Sequence, residues 1–200
     1  MKNKFHNIQL MPACGLINGG IAVNCTPKLV GGANDRLILI NFDDIESLTP
    51  DGVNPNLYTA INLAATKVGY VFEGKQQSVE PSHSLVKTRY SIGHDHIVQF
   101  KVFNNGPDVK LQLDKMVEGR FLAIVENNFK GTDGDAAFEL YGVDAGLYVE
   151  VMERNVADAE TLGAYNIQLK SGEFGKEGHV PSSLWDTDYA TTKALVDALL

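Results

Sequence analysis

The spacing of apolar residues after position 106 predicts a short amphipathic helix. Pro107 suits the first helical position because a proline there gives up no useful N–H group, and Asp108 faces the positive end of the helix dipole. Four apolar residues recur at helical spacing on one face: Val109, Leu113, Met116 and Val117. Gly119 is placed to end the helix in the left-handed conformation. We therefore expect a helix that starts at Pro107 and packs one face on a sheet.

Strand-like runs lie on both sides of this helix. Residues 120–126 and 136–142 are rich in apolar and aromatic residues, and the polar segment 127–135 joins them. Residues 36–42 contain a nearly continuous apolar run, which is typical of a strand buried on both faces. These patterns predict a hairpin after the helix and a central strand before it.

The longest alternation of apolar and polar residues predicts a second hairpin. Residues 85–92 and 97–103 would be its strands, and Gly93-His94-Asp95 would be its turn. One face of the hairpin would carry Val86, Thr88, Tyr90 and Ile92 from the first strand, with Val98, Phe100 and Val102 opposite them on the second.

Weaker patterns complete the predicted order of elements. Further strands are expected at 67–73, 146–152 and 163–171, with a short one at 21–23. The less regular segments are an extended N-terminal arm over 1–20, a projecting loop over 43–66 and a glycine-rich connection over 173–181. Asp186 or Thr187 would cap a C-terminal helix over 186–200, whose apolar end must dock on its own domain or on a neighbour.

These elements predict a single, mainly β domain over residues 1–200. About eight strands, one flanking mid-chain helix and a C-terminal helix indicate an antiparallel β-sandwich or barrel of α+β character. The βαβ alternation of a parallel sheet is missing from the sequence. A chain of this length buries about 70% of its unfolded surface, which is enough for a core without disulfides.

The charge of the chain limits its partners. The net charge is −8, whereas proteins that bind nucleic acid place Lys and Arg against the phosphates. Cys14 and Cys25 are the only cysteines, and we interpret them as reduced thiols. The N-terminal residues lack a continuous apolar segment, so neither a signal peptide nor a membrane span is expected.

Candidate chemistry is sparse. His94-Asp95-His96 is the best metal candidate, but two histidines on one strand face need a third ligand from elsewhere, and we interpret them as a solvated pair in a turn. Residues 132–135 lack the ligand spacing of a calcium loop and are interpreted as a turn. Residues 142–146 carry Asp where a nucleophile elbow needs its nucleophile, and are interpreted as a bent connection between strands. We therefore predict no catalytic residue, no metal and no cofactor.

The order of these features resembles the tail tube (major tail) proteins of tailed bacteriophages, particularly those of phages with Bacteroides-like hosts. The resemblance covers most of the chain as a pattern without one diagnostic motif. It is carried by Asn18-Gly19-Gly20-Ile21-Ala22-Val23-Asn24-Cys25, Gly31-Gly32, Asn41-Phe42-Asp43-Asp44, the run 84–103, Asp114-Lys115-Met116-Val117-Glu118-Gly119, the run 121–128, Leu140-Tyr141-Gly142 and Gly146-Leu147. The segment 185–200 departs from the family pattern because it is longer and more helical.

The resemblance implies a structural role in the virion. Such proteins form hexameric rings that stack into a tube with other tail proteins, and the genome passes through the lumen. The expected location is the virion tail, after synthesis in the host cytoplasm. The residues expected at contacts between subunits are Leu57, Tyr58, Val86, Tyr90, Val98, Phe100, Leu195, Leu199 and Leu200.

Other functions stay open at this point. A tail-completion, connector or head-decoration protein would share the missing site but would form one ring or single knobs. A carbohydrate-binding β-sandwich would need an exposed aromatic platform, and Trp185 is the only tryptophan. An enzyme would need His94 or His96 in a cleft with convergent carboxylates.

Overall fold

The computed structural model describes residues 17, 19–21, 30–87, 89, 91–173 and 175–200. Within these residues the chain forms eleven strands, a short 3-10 turn at Phe42–Asp44 and two helices, so it is mainly β as predicted. The strands are β1 (Ala33–Asn41), β2 (Ile45–Pro50), β3 (Leu57–Leu63), β4 (Tyr70–Glu73), β5 (Glu80–Lys87), β6 (Ile92–Val102), β7 (Phe121–Asn127), β8 (Phe138–Tyr141), β9 (Leu147–Arg154), β10 (Tyr165–Ser171) and β11 (Ser182–Leu184). The helices are α1 (Pro107–Met116) and α2 (Tyr189–Asp197).

The strands pair in one strongly bent, sandwich-like sheet. Its order is β2-β3-β11-β8-β7-β9-β10-β6-β5, and β1 pairs with both β4 and β7. All pairs are antiparallel except β3 with β11. Since this path ends at β2 and at β5 among the described strands, the sheet is not closed, and the barrel alternative is wrong.

Two apolar clusters lie on opposite faces of β1 and β7. Alternate residues of these strands, such as Leu37 and Leu39, enter the first cluster with α1, β6 and β10. Their neighbours Ile38 and Ile40 enter the second cluster with β8, β11 and α2. Burial on both faces explains why residues 36–42 read as a continuous apolar run, and the prediction of a central strand is confirmed.

Each helix covers one of the two clusters. In α1, Leu113 and Met116 are buried and Val109 is partly buried in the first cluster, as predicted. Val117, however, is exposed, so it is not part of the predicted apolar face. The helix ends with Val117 as its C-cap in the right-handed conformation, so the predicted left-handed stop at Gly119 is wrong. The observed α2 is shorter than the predicted helix 186–200, because Asp188 is its N-cap and accepts a hydrogen bond from the Thr191 N–H at 2.7 Å.

Two further predictions are wrong. The predicted loop 43–66 is a hairpin of β2 and β3, and Pro50 is tolerated because it ends a strand at the edge of the sheet. The predicted turn at Gly93-His94-Asp95 lies inside β6, where Gly93 pairs with Val86. The predicted hairpin therefore exists, but its strands are 80–87 and 92–102. The predicted arm 1–20 and strand 21–23 lie almost wholly outside the described residues, as do Cys14 and Cys25.

Candidate functional site

The residues predicted at subunit contacts fall into three groups. Val98, Phe100 and Leu199 are buried in the two clusters, so they are core residues of this chain and are not exposed to a second copy. The side chains of Leu57, Tyr58, Val86 and Leu195 are half-buried, and Leu200 is exposed. Tyr90 lies outside the described residues. The apolar end of α2 therefore docks on its own domain, where the Leu199 carbonyl also accepts the Gly69 N–H at 2.7 Å.

Three strands have a neighbour on only one side within the described residues. These strands are β2, β4 and β5. Six of the eight residues of β5 are exposed, and Leu85 is one of them. Tyr70 and Val71 of β4 are exposed apolar residues at a second edge. Peptide groups at such edges can hydrogen-bond another strand.

A groove of about 960 Å³ adjoins the free edge of β4. Residues of β4, α1 and the end of β6 line it, with Phe72, Val109 and Met116 among its apolar walls. Lys75 and Lys115 lie at its polar rim. Apolar side chains thus lie beside a strand edge that no other described strand pairs.

A buried polar cluster centres on His96 of β6. His96 is 1% exposed, and its Nδ1 accepts a hydrogen bond from the backbone N–H of Gly142 at 3.1 Å. Its Nε2 lies 2.9 Å from the carbonyl oxygen of His179. Because the Gly142 N–H can only donate and the carbonyl can only accept, the ring is neutral with its proton on Nε2. His96 therefore joins β6 to two segments that are distant in sequence.

One of these segments, residues 175–181, is called the strap below. The main chain of Glu177 in the strap pairs with His94 through hydrogen bonds of 2.8 and 3.0 Å. The strap lies so close to β6 that a Cβ at Gly93 would come within 2.7 Å of the Lys176 Cβ, which explains the glycine inside this strand. On the same face of β6 as Gly93, Lys176 forms an ion pair of 2.5 Å with the buried Asp95.

Glu177 connects the strap to the β8–β9 loop, residues 142–146. Its carboxylate is 1% exposed and accepts the N–H groups of Asp144 at 2.7 Å and Ala145 at 3.0 Å. In the other direction, the Asp144 carboxylate accepts a hydrogen bond from the Gly178 N–H of the strap at 2.8 Å. Each carboxylate therefore binds the main chain of the other segment.

Burial controls the protonation of both central groups. Burial lowers the pKa of His96 to about 4, against weaker opposing effects of the His179 carbonyl and Asp144. Burial also raises the pKa of Glu177, although the N–H groups that it accepts favour its charged form. At neutral pH, both nitrogens of His96 and both oxygens of Glu177 are engaged in hydrogen bonds. This arrangement fixes loops and leaves neither group free to act on a substrate.

The remaining candidate motifs have structural roles. Residues 132–135 form a turn in which the Ala137 N–H bonds to the Gly134 carbonyl, and residues 142–146 are a bent connection between β8 and β9, both as predicted. His94 and His96 are strand residues and His96 is buried, so the predicted solvated histidine pair in a turn is wrong. In the described part of the chain, no group of three His, Cys, Asp or Glu side chains is arranged to hold a metal. Trp185 is half-buried and donates its indole N–H to the Asp133 carbonyl at 3.3 Å.

Sequence reasoning missed the roles of Glu177 and Asp144. His96 and His179 are 83 positions apart, and Glu177 lies 33 positions from Asp144, so no local spacing indicates these contacts. The only usable signal is a carboxylate inside a glycine-rich connection.

No helix of the described residues is both long and apolar enough to cross a membrane. Comparisons with protein-family profiles, curated proteins and solved structures gave no match.

Proposed function

We propose that this protein is a structural virion subunit that assembles with copies of itself into stacked rings, which form the tail tube of a bacteriophage and conduct DNA passively. The observation that carries the proposal is the open sheet, in which β2, β4 and β5 each have one free edge among the described strands. Natural sheets usually protect such edges unless pairing between chains is wanted. The resemblance of the sequence to tail tube proteins is the basis for proposing that the copies form rings and that the rings stack into a tube.

The charge of the chain is consistent with a conduit. Duplex DNA carries about one negative charge per 1.7 Å, and it slides most easily past a wall that offers few cationic contacts. A subunit with a net charge of −8 suits such a wall. On this proposal the protein is made in the host cytoplasm, resides in the virion tail, contacts other tail proteins and catalyses no reaction.

The apolar residues that remain available define where contacts between copies are expected. Five of the residues predicted from the sequence keep exposed or half-buried side chains: Leu57, Tyr58, Val86, Leu195 and Leu200. Val86 lies on β5 itself, whereas Leu57 and Tyr58 lie on β3, next to the edge strand β2. We therefore place the first contacts at β5 and at the β2–β3 hairpin.

The test is assembly of purified protein at high concentration, observed by negative-stain microscopy and sedimentation. The variant Ser82→Lys/Ser84→Lys adds two cations to exposed positions of β5 and is expected to remain monomeric, because edge lysines oppose strand pairing. The matched control, Ala157→Lys/Ala159→Lys, adds the same charge in the exposed β9–β10 connection and is expected to assemble like the unaltered chain.

Three results separate the possibilities. Tubes or stacked rings from the unaltered chain and the control, but not from the β5 variant, support the proposal. A single ring that never stacks favours a connector instead. A monomer at every protein and salt concentration overturns the proposal.

A further inference from the structure

The strap is attached to β6 by the main-chain pair of Glu177 with His94 and by the Lys176–Asp95 ion pair. Its further contacts with His96 and with the β8–β9 loop require particular protonation states. Nδ1 of His96 can accept the Gly142 N–H only while it carries no hydrogen. The Glu177 carboxylate accepts two N–H groups, one on each oxygen, only while it is ionised. Protonation of the His96 ring at Nδ1 removes the first of these contacts.

The charged and titratable groups around His96 come from every element that packs against it. His83 lies on β5, opposite His96 in the strand register, and His94 lies on β6 beside it. Tyr141 of β8 contacts the His96 ring edge-to-face at a centroid distance of 5.6 Å. Asp144 of the β8–β9 loop and the His179 carbonyl of the strap favour the charged ring, whereas His83 and His94 oppose it. The carboxylates of Asp144 and of the nearby Glu177 already accept hydrogen bonds from backbone N–H groups.

We propose that His96 forms an acid-sensitive latch: uptake of a proton by its ring breaks the contact with the Gly142 N–H and loosens the β8–β9 loop and the strap from β6, while the rest of the sheet stays folded. A proton on Nδ1 points a hydrogen at the Gly142 N–H, so the contact that joins β6 to the β8–β9 loop is lost. Since β6 keeps its pairing with β5 and β10, and β8 keeps its pairing with β7 and β11, opening is local. The latch does not depend on whether the chain assembles.

The direction of the pH effect follows from where the protons bind. Burial lowers the pKa of His96 to about 4, and an exposed histidine has a pKa of about 6.5. The open state therefore binds more protons between these values, so opening increases as the pH falls below 6.5. The same values give an increase in the opening equilibrium of about 20-fold from pH 7 to pH 5. Burial raises the pKa of Glu177 in the closed state, so protonation of this carboxyl opposes opening, and the expected response is assigned to His96.

The test is amide hydrogen exchange, corrected for the intrinsic effect of pH on exchange rates. The amides of Gly142, Asp144, Ala145, Glu177 and Gly178 report on the latch, and the amide of Ile124 in β7 is the reference. We expect the reporter amides to lose about 20-fold in protection between pH 7 and pH 5 while Ile124 changes little. Equal changes in reporters and reference overturn the proposal.

Two variants assign the effect to His96. His96→Gln removes the titrating ring and is expected to flatten the pH response of the reporter amides. His83→Gln, the matched control, removes an exposed histidine on β5 and is expected to keep most of the response, because burial is the main cause of the low pKa of His96. A full response in His96→Gln contradicts the latch.

A measurement on the unaltered chain applies even if His96→Gln fails to fold. The ring carbons of His96 are followed by NMR through an acid titration. We expect the ring of the folded chain to stay neutral at pH 6, because burial depresses its pKa. If the folded chain instead titrates at His96 near pH 6.5 with the reporter amides still protected, the latch is wrong.

Discussion

Buried charge in this protein is stabilised by several donors at once, and Glu126 is the clearest case. Its carboxylate is buried and accepts hydrogen bonds from Lys130, from the Tyr189 hydroxyl at 2.8 Å and from the Asn34 amide at 3.3 Å. Burial opposes ionisation, yet the three donors together leave the pKa of Glu126 below its ordinary value. Since the donors come from β1, from the β7–β8 connection and from the first residue of α2, this one carboxylate ties three segments together.

The Tyr189 hydroxyl is therefore expected to contribute to stability. Tyr189→Phe removes one donor from a buried carboxylate and should lower the free energy of unfolding by roughly 1–2 kcal/mol. The ring itself should keep its stacking on Phe138, where the centroids are 5.9 Å apart. The control is Tyr165→Phe, because the Tyr165 hydroxyl makes only an exposed contact of 3.3 Å with Asn105. Urea denaturation of both variants measures the difference, and equal losses would contradict the role given to Glu126.

At the scale of elements, local patterns predicted the strands and helices whose own residues determine their environment. β1 and β7 are buried on both faces, so each carries an apolar run that is visible without knowing its neighbours. The helix α1 has a cap position, a proline and a buried face within eleven residues, from Gly106 to Met116. These elements were predicted correctly because the physical cause lies within each segment.

Other elements depend on partners far along the chain, and there the local pattern misleads. Gly93 resembles a turn residue, but it is a glycine because the strap passes close to β6. Pro50 and Pro55 suggested an open loop, but Pro50 ends an edge strand, where a residue without an N–H is tolerated, and Pro55 lies in the short connection to β3. The polar cluster at His96 was missed for the same reason, since its partners come from the β8–β9 loop and the strap. Long-range contacts, not local propensity, determine these positions.

The amphipathic character of α1 leads to a prediction at this scale. Leu113 is 3% exposed in the first cluster, whereas Leu111 of the same helix is 52% exposed. Leu113→Ala should lower the free energy of unfolding by about 2–4 kcal/mol, because it removes buried apolar area and leaves a cavity. Leu111→Ala should change it by less than about 0.5 kcal/mol, since the surface is already solvated. Chemical denaturation checks both values, and a similar cost for the two leucines would contradict the packing of α1.

At the scale of the whole molecule, the same surface both permits and opposes association. Free edges at β2, β4 and β5 offer hydrogen-bonding groups to another strand, and exposed apolar residues such as Tyr70 and Leu85 lie at two of these edges. The net charge of −8, however, makes any two copies repel each other. Edge pairing acts at contact distance, while the repulsion acts over the Debye length, so the balance between them depends on salt.

If copies join through strand edges, added salt should promote assembly. Raising the ionic strength from 0.01 to 0.1 M shortens the Debye length from about 30 to about 10 Å, which screens repulsion between the acidic chains but leaves hydrogen bonds at the edges in place. We expect the protein concentration needed for assembly to fall by roughly an order of magnitude over this range, measured by light scattering and sedimentation.

The β5 variant Ser82→Lys/Ser84→Lys carries less net negative charge, so if repulsion alone controlled assembly it would associate more readily than the unaltered chain. Loss of assembly in this variant at every salt concentration, with salt-promoted assembly in the Ala157→Lys/Ala159→Lys control, separates the edge from the overall charge. Assembly that weakens as salt is added would instead mean that ion pairs between copies dominate, and would contradict pairing through the strand edges.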